Sequence, residues 1–422
     1  MHPNDPSPRP APTRGPNLPT LVVAAAVSAL AMTMFVPAVP MIANDFGSGA
    51  AAVQLGLAIY LVTTAIVQLI VGPLSDLYGR RPVLLWSMVL FVIGTLVCVF
   101  AGDVATFLMG RVLQGASSAG LVLSRTIIRD VYGRDKAASM IGYLVMAMAV
   151  APMLGPWIGG EVAEAVGWPG IFVLLGIVGV ISVLTIWRGL SETNVNLGRP
   201  IGTQFASYRA LLSSRAYWVF AATGSCASAV FFAFLGAAPQ IADTVLGMSP
   251  ASYGAWFACC AGGYAFGNFL SGRFAERFGL GPMIVAGATS TLLGTAAVAT
   301  AFAAGIEHPF GLFGLIALVG IGNGLVLPSN IAAAISIRTD AAGAASGLLG
   351  TIQTGTGAVA SVIAAVVVGD GSAVMAFCAV IVTFGTIAFV FALLSLRELG
   401  GDGDRSEPGG LRLGRAGGQT AG

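Results

Sequence analysis

The sequence predicts an all-α integral membrane protein in which twelve transmembrane helices form two pseudo-symmetric six-helix bundles. Hydrophobic residues make up 56% of the 422-residue chain and charged residues only 9%, and the mean hydropathy is +0.88. Soluble domains carry roughly 25% charged residues, so this composition requires lipid as its solvent. The apolar residues are also grouped in runs long enough for the roughly 20 helical residues that cross a bilayer.

Twelve apolar runs define the predicted spans, which are numbered 1 to 12 in chain order. They cover residues 20–41, 52–74, 82–101, 105–127, 139–161, 168–188, 216–238, 252–272, 282–304, 311–334, 343–368 and 373–396. Runs of this length with few charges are typical of transmembrane helices.

The basic residues predict the orientation of these spans. All 20 Lys and Arg residues except Arg111, which lies inside span 4, fall on one side of the membrane. The loops on the other side carry no Lys or Arg. Their acids are Asp45, Asp103, Glu164, Asp243, Glu307 and Asp370. The positive-inside rule therefore places both ends of this multi-pass chain in the cytoplasm.

The longest loop on the basic side divides the spans into two sets of six. Residues 1–19 are predicted as a disordered cytoplasmic tail, 20–188 as the N-terminal bundle, 189–215 as a cytoplasmic linker, 216–396 as the C-terminal bundle and 397–422 as a second cytoplasmic tail. A weak internal repeat supports a duplication, because Leu74-Ser75 at the end of span 2 matches Leu270-Ser271 at the end of span 8.

The residues that several other classes of function require are absent from this sequence. The five Cys residues lie in apolar runs without ligand spacing, and His2 and His308 lie outside the helix interiors, so no metal site and no histidine relay is predicted. No nucleophile–base pair and no Gly-x-x-x-x-Gly-Lys loop is present, which argues against an enzyme, an organic cofactor and ATP drive. The net charge of +2 follows from membrane sidedness and does not indicate a nucleic-acid partner.

The strongest motif follows span 2 and contains Gly72, Asp76, Gly79, Arg80 and Arg81. Gly79 permits a tight reversal with positive φ, the two arginines anchor the loop at the cytoplasmic surface, and Asp76 can pair with Arg80 or with a helix N-terminus. A charged turn with only topological value is the alternative. The run resembles the signature loop of the major facilitator superfamily. That resemblance implies a charge latch that locks the two halves on the cytoplasmic side when the cavity opens outward.

A second motif lies in span 5 and contains Gly155, Pro156, Gly159 and Gly160. Small residues at this spacing allow close helix contact and the proline kinks the helix, so packing alone could explain it. The run resembles the antiporter motif Gly-Pro-x-x-Gly-Gly of exporting members of the superfamily, which implies the direction of transport.

A third motif is Arg111-Val112-Leu113-Gln114-Gly115 in span 4. A charge inside the bilayer costs at least about 2.5–3.5 kcal/mol, although an Arg about two turns from the outer end could also snorkel to that surface. The run resembles the Arg-x-x-Gln-Gly motif of the superfamily. The resemblance implies that Arg111 takes part in proton coupling, with the proton gradient as the energy source and no cofactor.

Further residues resemble the Bcr/CflA branch of drug exporters. They are Phe35-Val36-Pro37-Ala38-Val39-Pro40, Gln54, Gln68, Ile128-Arg129-Asp130 and Ala342-Gly343-Ala344-Ala345-Ser346. The resemblance implies a monomeric antiporter of the bacterial inner membrane. Such exporters extrude amphiphilic antibiotics such as phenicols, bicyclomycin and sulfonamides in exchange for protons.

One position departs from that branch, whose members often carry an acid in span 1 just before Met-Tyr-Leu-Pro. Here Thr33 precedes Met34, and no Asp or Glu lies in the central third of any span. We therefore predict a neutral or weakly acidic amphiphilic substrate, bound at midplane between the halves. The candidate residues for the wall of the substrate cavity are Phe35, Gln68, Gln114, Tyr143, Met146, Phe231, Phe232, Asn330 and Gln353. Any single aromatic residue or Met among them could instead serve helix packing or lipid contact.

Other functions stay open at the level of sequence. An importer of a sugar or organic acid is disfavoured by the span 5 motif and by the lack of a polar cavity lining, and a narrow-specificity metabolite exporter is an alternative. A receptor, a membrane enzyme or a channel would not need the loop that contains Asp76 and Arg81.

Overall fold

The computed structural model describes residues 18–132, 134–194, 208–337, 342–369 and 373–401. Most of the two predicted tails and residues 195–207 of the predicted linker lie outside the described residues. Within the described ranges the chain is helical almost throughout, as expected for the all-α class.

Fourteen α-helices have both bounds in the described residues, together with two 3₁₀ turns and one π turn. The first eight helices are α1 (Leu18–Thr33), α2 (Val39–Asp45), α3 (Ala50–Tyr78), α4 (Arg80–Val99), α5 (Val104–Gln114), α6 (Ala119–Val131), α7 (Arg134–Val166) and α8 (Pro169–Gly189). The other six are α9 (Arg215–Thr244), α10 (Pro250–Phe278), α11 (Leu280–Ala303), α12 (Leu315–Ser336), α13 (Ala342–Val368) and α14 (Val374–Gly401).

Each predicted span falls on helical residues. Nine helical stretches of the described residues are long and apolar enough to cross a membrane. They are Leu18–Asp45, Ala50–Tyr78, Arg80–Val99, Pro169–Gly189, Arg215–Thr244, Leu280–Ala303, Phe310–Ser336, Gly343–Val368 and Val374–Leu399. Predicted spans 4, 5 and 8 correspond to the helical pair α5–α6, to α7 and to α10.

Short polar side chains mark where several of these helices begin. The carboxylate of Asp103 accepts the backbone N–H of Thr106 at 2.9 Å, at the start of α5. Ser214 and Ser249 cap α9 and α10 in the same way. A side-chain acceptor at this position satisfies a backbone donor that the helix itself leaves free.

Two predicted spans are not continuous α-helices. Span 1 passes through a 3₁₀ turn at Val36–Ala38, where Pro37 has no N–H to continue the α-helical ladder. Span 4 tightens into a 3₁₀ turn at Gly115–Ser118. A Cβ atom on Gly115 would press against Thr63 of α3, so this break lies where two helix backbones approach closely.

The helices pack in two groups, α1–α8 and α9–α14. The groups meet mainly where α3 packs on α13 and where α7 packs on α10. Small residues permit close approach at such crossings. Between the groups, a Cβ atom on Gly254 of α10 would overlap the carbonyl of Pro156 in α7. Within the second group, a Cβ atom on Gly267 of α10 would overlap the carbonyl of Ile321 in α12.

The helix ends form two faces of opposite character. The basic face contains the turn between α3 and α4, with Arg80 and Arg81. The acidic face contains the loop residue Asp103 and the end of α7, with Glu164.

We predict that Gly267→Ala lowers the free energy of unfolding by about 1–3 kcal/mol, as overpacking usually does. Ala is the better helix former by about 1 kcal/mol, so the overlap with the Ile321 carbonyl has to outweigh that gain. Gly272→Ala is the matched control, because it lies on the same helix with open space around it. Thermal unfolding in detergent tests both, and equal transition temperatures would contradict the packing argument.

Candidate functional site

The first candidate site surrounds Arg111 in α5, whose side chain is completely buried. Its Nη1 donates to the carbonyl of Ala31 at 2.9 Å and to Oε1 of Gln114 at 2.6 Å. Its Nε donates to the carbonyl of Gly56 at 3.2 Å. The side chain therefore does not snorkel to a surface, which was the alternative left open by the sequence.

The break in span 1 makes one of these acceptors available. In a continuous α-helix the N–H of Phe35 would bond to the carbonyl of Ala31. Helix α1 ends at Thr33, and the described backbone hydrogen bonds do not include one from Phe35 to Ala31. The guanidinium of Arg111 thus occupies an acceptor that the helix break has freed.

Two aromatic rings cover the guanidinium. Its Cζ atom lies 4.3 Å from the ring centroid of Phe35 and 4.7 Å from that of Tyr60. The hydroxyl of Tyr60 donates to the carbonyl of Ser28 at 2.7 Å, which fixes the ring. The charge of Arg111 is therefore held by carbonyl dipoles and by the negative faces of aromatic rings.

No carboxylate contacts Arg111 among the described residues. Thr33, in the place of the acid that is frequent in the Bcr/CflA branch, donates its hydroxyl to the carbonyl of Ala29 at 3.1 Å. The Nη2 atom of Arg111 is buried without a described hydrogen-bond partner. The site therefore keeps a buried cation with one free donor, an arrangement that costs free energy.

Gln114 extends this cluster toward α4. Its Nε2 donates to Oγ1 of Thr95 at 2.8 Å, and that hydroxyl donates to the carbonyl of Phe91 at 2.7 Å. Phe35 and Gln114 were both predicted on the cavity wall. The structure places them with Arg111 in one buried cluster of polar and aromatic side chains.

The span 5 motif joins helices of both groups. A Cβ atom on Gly155 would overlap the hydroxyl of Thr33, and one on Gly159 would overlap the carbonyl of Met34, so these two glycines seat α7 against span 1. A Cβ atom on Gly160 would overlap the carbonyl of Pro250 at the start of α10. With the contact between Pro156 and Gly254, the motif forms a close seam between the groups near the acidic face.

Glu164 adds a hydrogen-bonded contact to this seam. Its Oε1 accepts the backbone N–H of Ala251 at 2.9 Å, so a side chain of α7 caps the first turn of α10. Hydrogen bonds from the hydroxyl of Ser249 and from the amide of Ala251 hold the pKa of Glu164 below its ordinary value. In the sequence Glu164 is only one acid among several in the loops, because its partner lies 87 residues further along the chain.

Contacts between the groups are uneven along the molecule. Nε2 of Gln54 donates to the carbonyl of Leu235 at 2.8 Å, and Oγ1 of Thr351 donates to the carbonyl of Ala65 at 3.4 Å. The hydrogen bonds and ion pairs described at the basic face each stay within one group. The seam is therefore fastened toward the acidic face.

The predicted latch is an ion-pair network at the basic face. Nη1 of Arg80 lies 2.7 Å from Oδ1 of Asp76, and its Nε lies 3.1 Å from Oδ2 of Asp130. Arg81 instead donates to the carbonyl of Trp187 at 2.9 Å. Asp76 thus pairs with Arg80, within the first group of helices. Nη1 of Arg80 also donates to the hydroxyl of Ser75, which in turn donates to the carbonyl of Gly72 at 2.8 Å.

Glu192 is a residue of this site that the sequence reasoning missed. Its carboxylate accepts the backbone N–H groups of Arg80 at 2.9 Å and of Arg81 at 3.2 Å, and so caps the start of α4. Gly79 has φ +105°, and a Cβ atom there would overlap this carboxylate. Both the backbone conformation and the limited space at this position therefore require glycine. The available signal was that Glu192 is the one acid in residues 189–215.

Two predicted wall residues meet beside α9. Asn330 is buried and donates Nδ2 to the carbonyl of Phe220 at 2.8 Å. A Cβ atom on Gly224 would lie 2.5 Å from Nδ2 of Asn330 and 2.5 Å from Nε2 of Gln353. Oδ1 of Asn330 and Nε2 of Gln353 are both buried without a described hydrogen-bond partner. This pair of amides could therefore accept from and donate to a bound molecule.

The other predicted wall residues are more dispersed. Phe231 and Phe232 of α9 are half-buried with ring centroids 5.6 Å apart. Gln68 of α3 is half-buried and lies beside Gly350 of α13. Tyr143 and Met146 belong to α7, but their side chains lie outside the described part of the structure.

Comparison with known proteins identifies the family. The model of the Major Facilitator Superfamily matches residues 21–360 and, in a second match, residues 221–415. The chain belongs to the major facilitator superfamily. This membership indicates a transporter, and it agrees with the signature loop around Asp76 and Arg80.

Relatives of this transporter include drug-resistance proteins. It is 33% identical over 330 residues to the Uncharacterized MFS-type transporter YdgK of Bacillus subtilis, covering 76% of this chain and 82% of that one. It is 30% identical over 318 residues to the chloramphenicol resistance protein of Pseudomonas aeruginosa (75% and 74% covered). It is 29% identical over 346 residues to Multidrug resistance protein D of Escherichia coli (79% and 84% covered). These relatives are consistent with the Bcr/CflA drug-efflux branch.

A solved structure of another transporter has the same fold as this chain. A bacterial homologue of the human lysosomal transporter Spinster, crystallised in an inward-facing and occupied conformation, aligns with a TM-score of 0.69 at 17% identity. The alignment covers 90% of this chain and 96% of that one.

We predict that acidification of the acidic face loosens the contact between α7 and α10. The pKa of Glu164 is lowered by this contact, so the carboxylate stabilises the contact above the pKa it has once the contact opens. That stabilisation is lost as the pH falls through the lowered pKa. Spin labels at position 165 of α7 and position 255 of α10, both exposed, in a cysteine-free background, should therefore report longer distances at low pH.

Glu164→Gln should remove this pH dependence, because its side chain no longer titrates. The matched control is Glu161→Gln, one turn earlier on the same helix, where no hydrogen bond of the carboxylate is described. A pH response that survives in Glu164→Gln, or one that disappears in Glu161→Gln, would contradict the assignment.

We also predict that Glu192→Ala destabilises the protein by about 1–2 kcal/mol, the cost of removing a helix cap. Substrate efflux should fall with it, because Arg80 and Arg81 lose the carboxylate that holds their backbone. Glu276→Ala, exposed near the end of α10, serves as the control and should change neither property. Chemical unfolding and cellular efflux measure the two effects, and equal behaviour of the variants would overturn the role of Glu192.

Proposed function

We propose that this transporter exports amphiphilic drugs or related small molecules in exchange for protons, by alternating access between its two groups of helices. It would do so as a monomer with twelve spans in the bacterial inner membrane. On this proposal the basic face and both termini are cytoplasmic, and the acidic face is external.

The uneven seam between the groups is the observation that carries this proposal. The glycines of the span 5 motif, the cap from Glu164 and the bond from Gln54 to Leu235 all fasten the groups toward the acidic face. The ion pairs of the basic face stay within one group. Such an arrangement supports a state closed to the outside, from which rocking of the groups would open the other side.

The cluster around Arg111 supports a coupling role. A cation that is fully buried and lacks a carboxylate partner is expensive to keep, and its free Nη2 donor can respond to a new partner. In the proposal, movement of span 1 against α5 changes the partners of this guanidinium, and proton entry from the acidic face biases that movement.

The substrate class follows from the charges of the interior. Among residues with described side chains, the acids lie near the ends of the helices and in the loops, away from the middle of the bundle. A permanently cationic drug would find no counter-charge there. The amides of Asn330 and Gln353 and the rings of Phe231 and Phe232 suit a neutral or weakly acidic amphiphile.

Proton-loaded everted vesicles test the proposal directly. The vesicles come from a bacterium that lacks its main efflux pumps, and a panel of amphiphilic antibiotics is added after a respiratory gradient is established. Drug-dependent release of lumenal protons is expected for the wild type. We predict at least a tenfold lower rate for Arg111→Ala, equivalent to the loss of about 1.4 kcal/mol of coupling.

The control is Arg273→Ala, an exposed arginine of α10 at the basic face, which should leave the signal unchanged. Release that survives in Arg111→Ala would return that residue to a structural role and keep the antiport. No response to any compound from folded protein would reject drug:proton antiport, in favour of a narrow metabolite exporter or another coupling ion.

A further inference from the structure

We propose that Arg125 binds the anionic group of the substrate, so that this transporter prefers amphiphilic organic anions over neutral and cationic analogues. The inference rests on the exporter function proposed above and names the substrate class of its cavity. It is carried by the position of one guanidinium in the space between the two groups of helices.

Arg125 lies on the open side of α6. The opposite side of that helix is buried, since Leu123 and Ile127, each about 200° around the helix from Arg125, are fully buried. Arg125 and Arg129 are exposed and stand one turn apart. Because residues four apart share a helix face, the two guanidinium groups form a basic stripe.

The stripe faces the second group of helices rather than lipid. The guanidinium of Arg125 interacts electrostatically with the phenol of Tyr264 in α10. Helices α6 and α10 belong to different groups and are not joined by extensive packing. The two side chains therefore approach each other across the space between the groups.

Arg125 also reaches deeper than a surface arginine. It precedes the end of α6 at Val131 by six residues, which is about 9 Å along the helix axis. Side chains tilt toward the N-terminus of their helix, and α6 runs toward the basic face. The guanidinium is thus directed inward from that face, toward the middle of the molecule.

The charge of this stripe is not neutralised by the protein. Neither Arg125 nor Arg129 has a hydrogen-bond or ion-pair partner among the described residues, and the neighbouring Asp130 is engaged by Arg80. Like charges at this spacing repel. A bound anion would relieve that repulsion and accept two parallel N–H bonds from the planar guanidinium, while the hydroxyl of Tyr264 could provide another donor from the opposite wall.

The same charge selects against cations. A positive potential in a confined cavity raises the local concentration of anions and excludes cations, and the described interior offers no carboxylate to reverse it. Arg111 lies in the same helical pair but is completely enclosed. Arg125 is therefore the cation of this helical pair that a molecule entering from the basic face can contact inside the bundle.

Two isosteric probes test this inference on the full chain in lipid nanodiscs. Tritiated 2-naphthoate carries a full negative charge at pH 7, and 2-naphthamide has the same shape without it. We expect the wild type to bind naphthoate about tenfold more tightly, the effect of one charge-assisted hydrogen bond. Arg125→Gln should raise the Kd of naphthoate about tenfold and change that of naphthamide less than twofold.

Arg125→Lys should retain part of the preference, because lysine keeps the positive charge but cannot donate two parallel N–H bonds to one carboxylate. Arg273→Gln, an exposed arginine of the same face, should keep all of it, and unchanged naphthamide binding shows that each variant is folded. Equal affinity of the wild type for both probes, or a preference that survives in Arg125→Gln, overturns the inference. Either result leaves the exporter proposal unaffected. That proposal is rejected only if no drug releases protons in the vesicle assay.

Discussion

One buried guanidinium sets conditions that much of the first group of helices satisfies. Arg111 has no exposed surface, so each of its donors needs an acceptor from the protein. The break in span 1 frees the carbonyl of Ala31, and the absence of a side chain at Gly56 lets α3 bring a second carbonyl close. A helix break in lipid needs a donor and a buried cation needs acceptors. Here the freed carbonyl of Ala31 and the cation of Arg111 stabilise each other, although Nη2 of Arg111 has no described partner.

This mutual dependence connects the buried guanidinium to the contact between the two groups of helices. The same break in span 1 contains Thr33 and Met34, on which Gly155 and Gly159 of α7 are seated. Gly160 and Glu164, further along α7, contact the start of α10 in the second group. These contacts link the seam between α7 and α10 to the break, and through the carbonyl of Ala31 to the guanidinium. The route consists of direct contacts, each about one helix turn or less from the next.

The sequence predicted the helices well because lipid imposes a strong and local rule. A run of about 20 apolar residues is visible without knowing its neighbours, and Gly79 could be assigned a positive φ from its loop alone, which the structure confirms. The roles of Glu192 and Glu164 could not be predicted, since each depends on a partner more than 80 residues away in the chain. Rotation of a helix about its axis is equally invisible. Gln114 therefore contacts Arg111 rather than lining an open wall.

The positive interior also bears on how export would be driven. Arg111 and Arg125 are both in the α5–α6 pair, and the described interior contains no carboxylate to balance them. The cytoplasm is electrically negative relative to the outside. The membrane potential therefore favours the exit of a bound anion by about 2.3 kcal/mol per 100 mV for each charge. Protons entering in exchange move down the same potential. A cavity that selects anions thus adds the membrane potential to the proton gradient, whereas a cationic drug would have to move against it. The absence of an acid in span 1 and the absence of a described partner for Arg125 then both favour an anionic substrate.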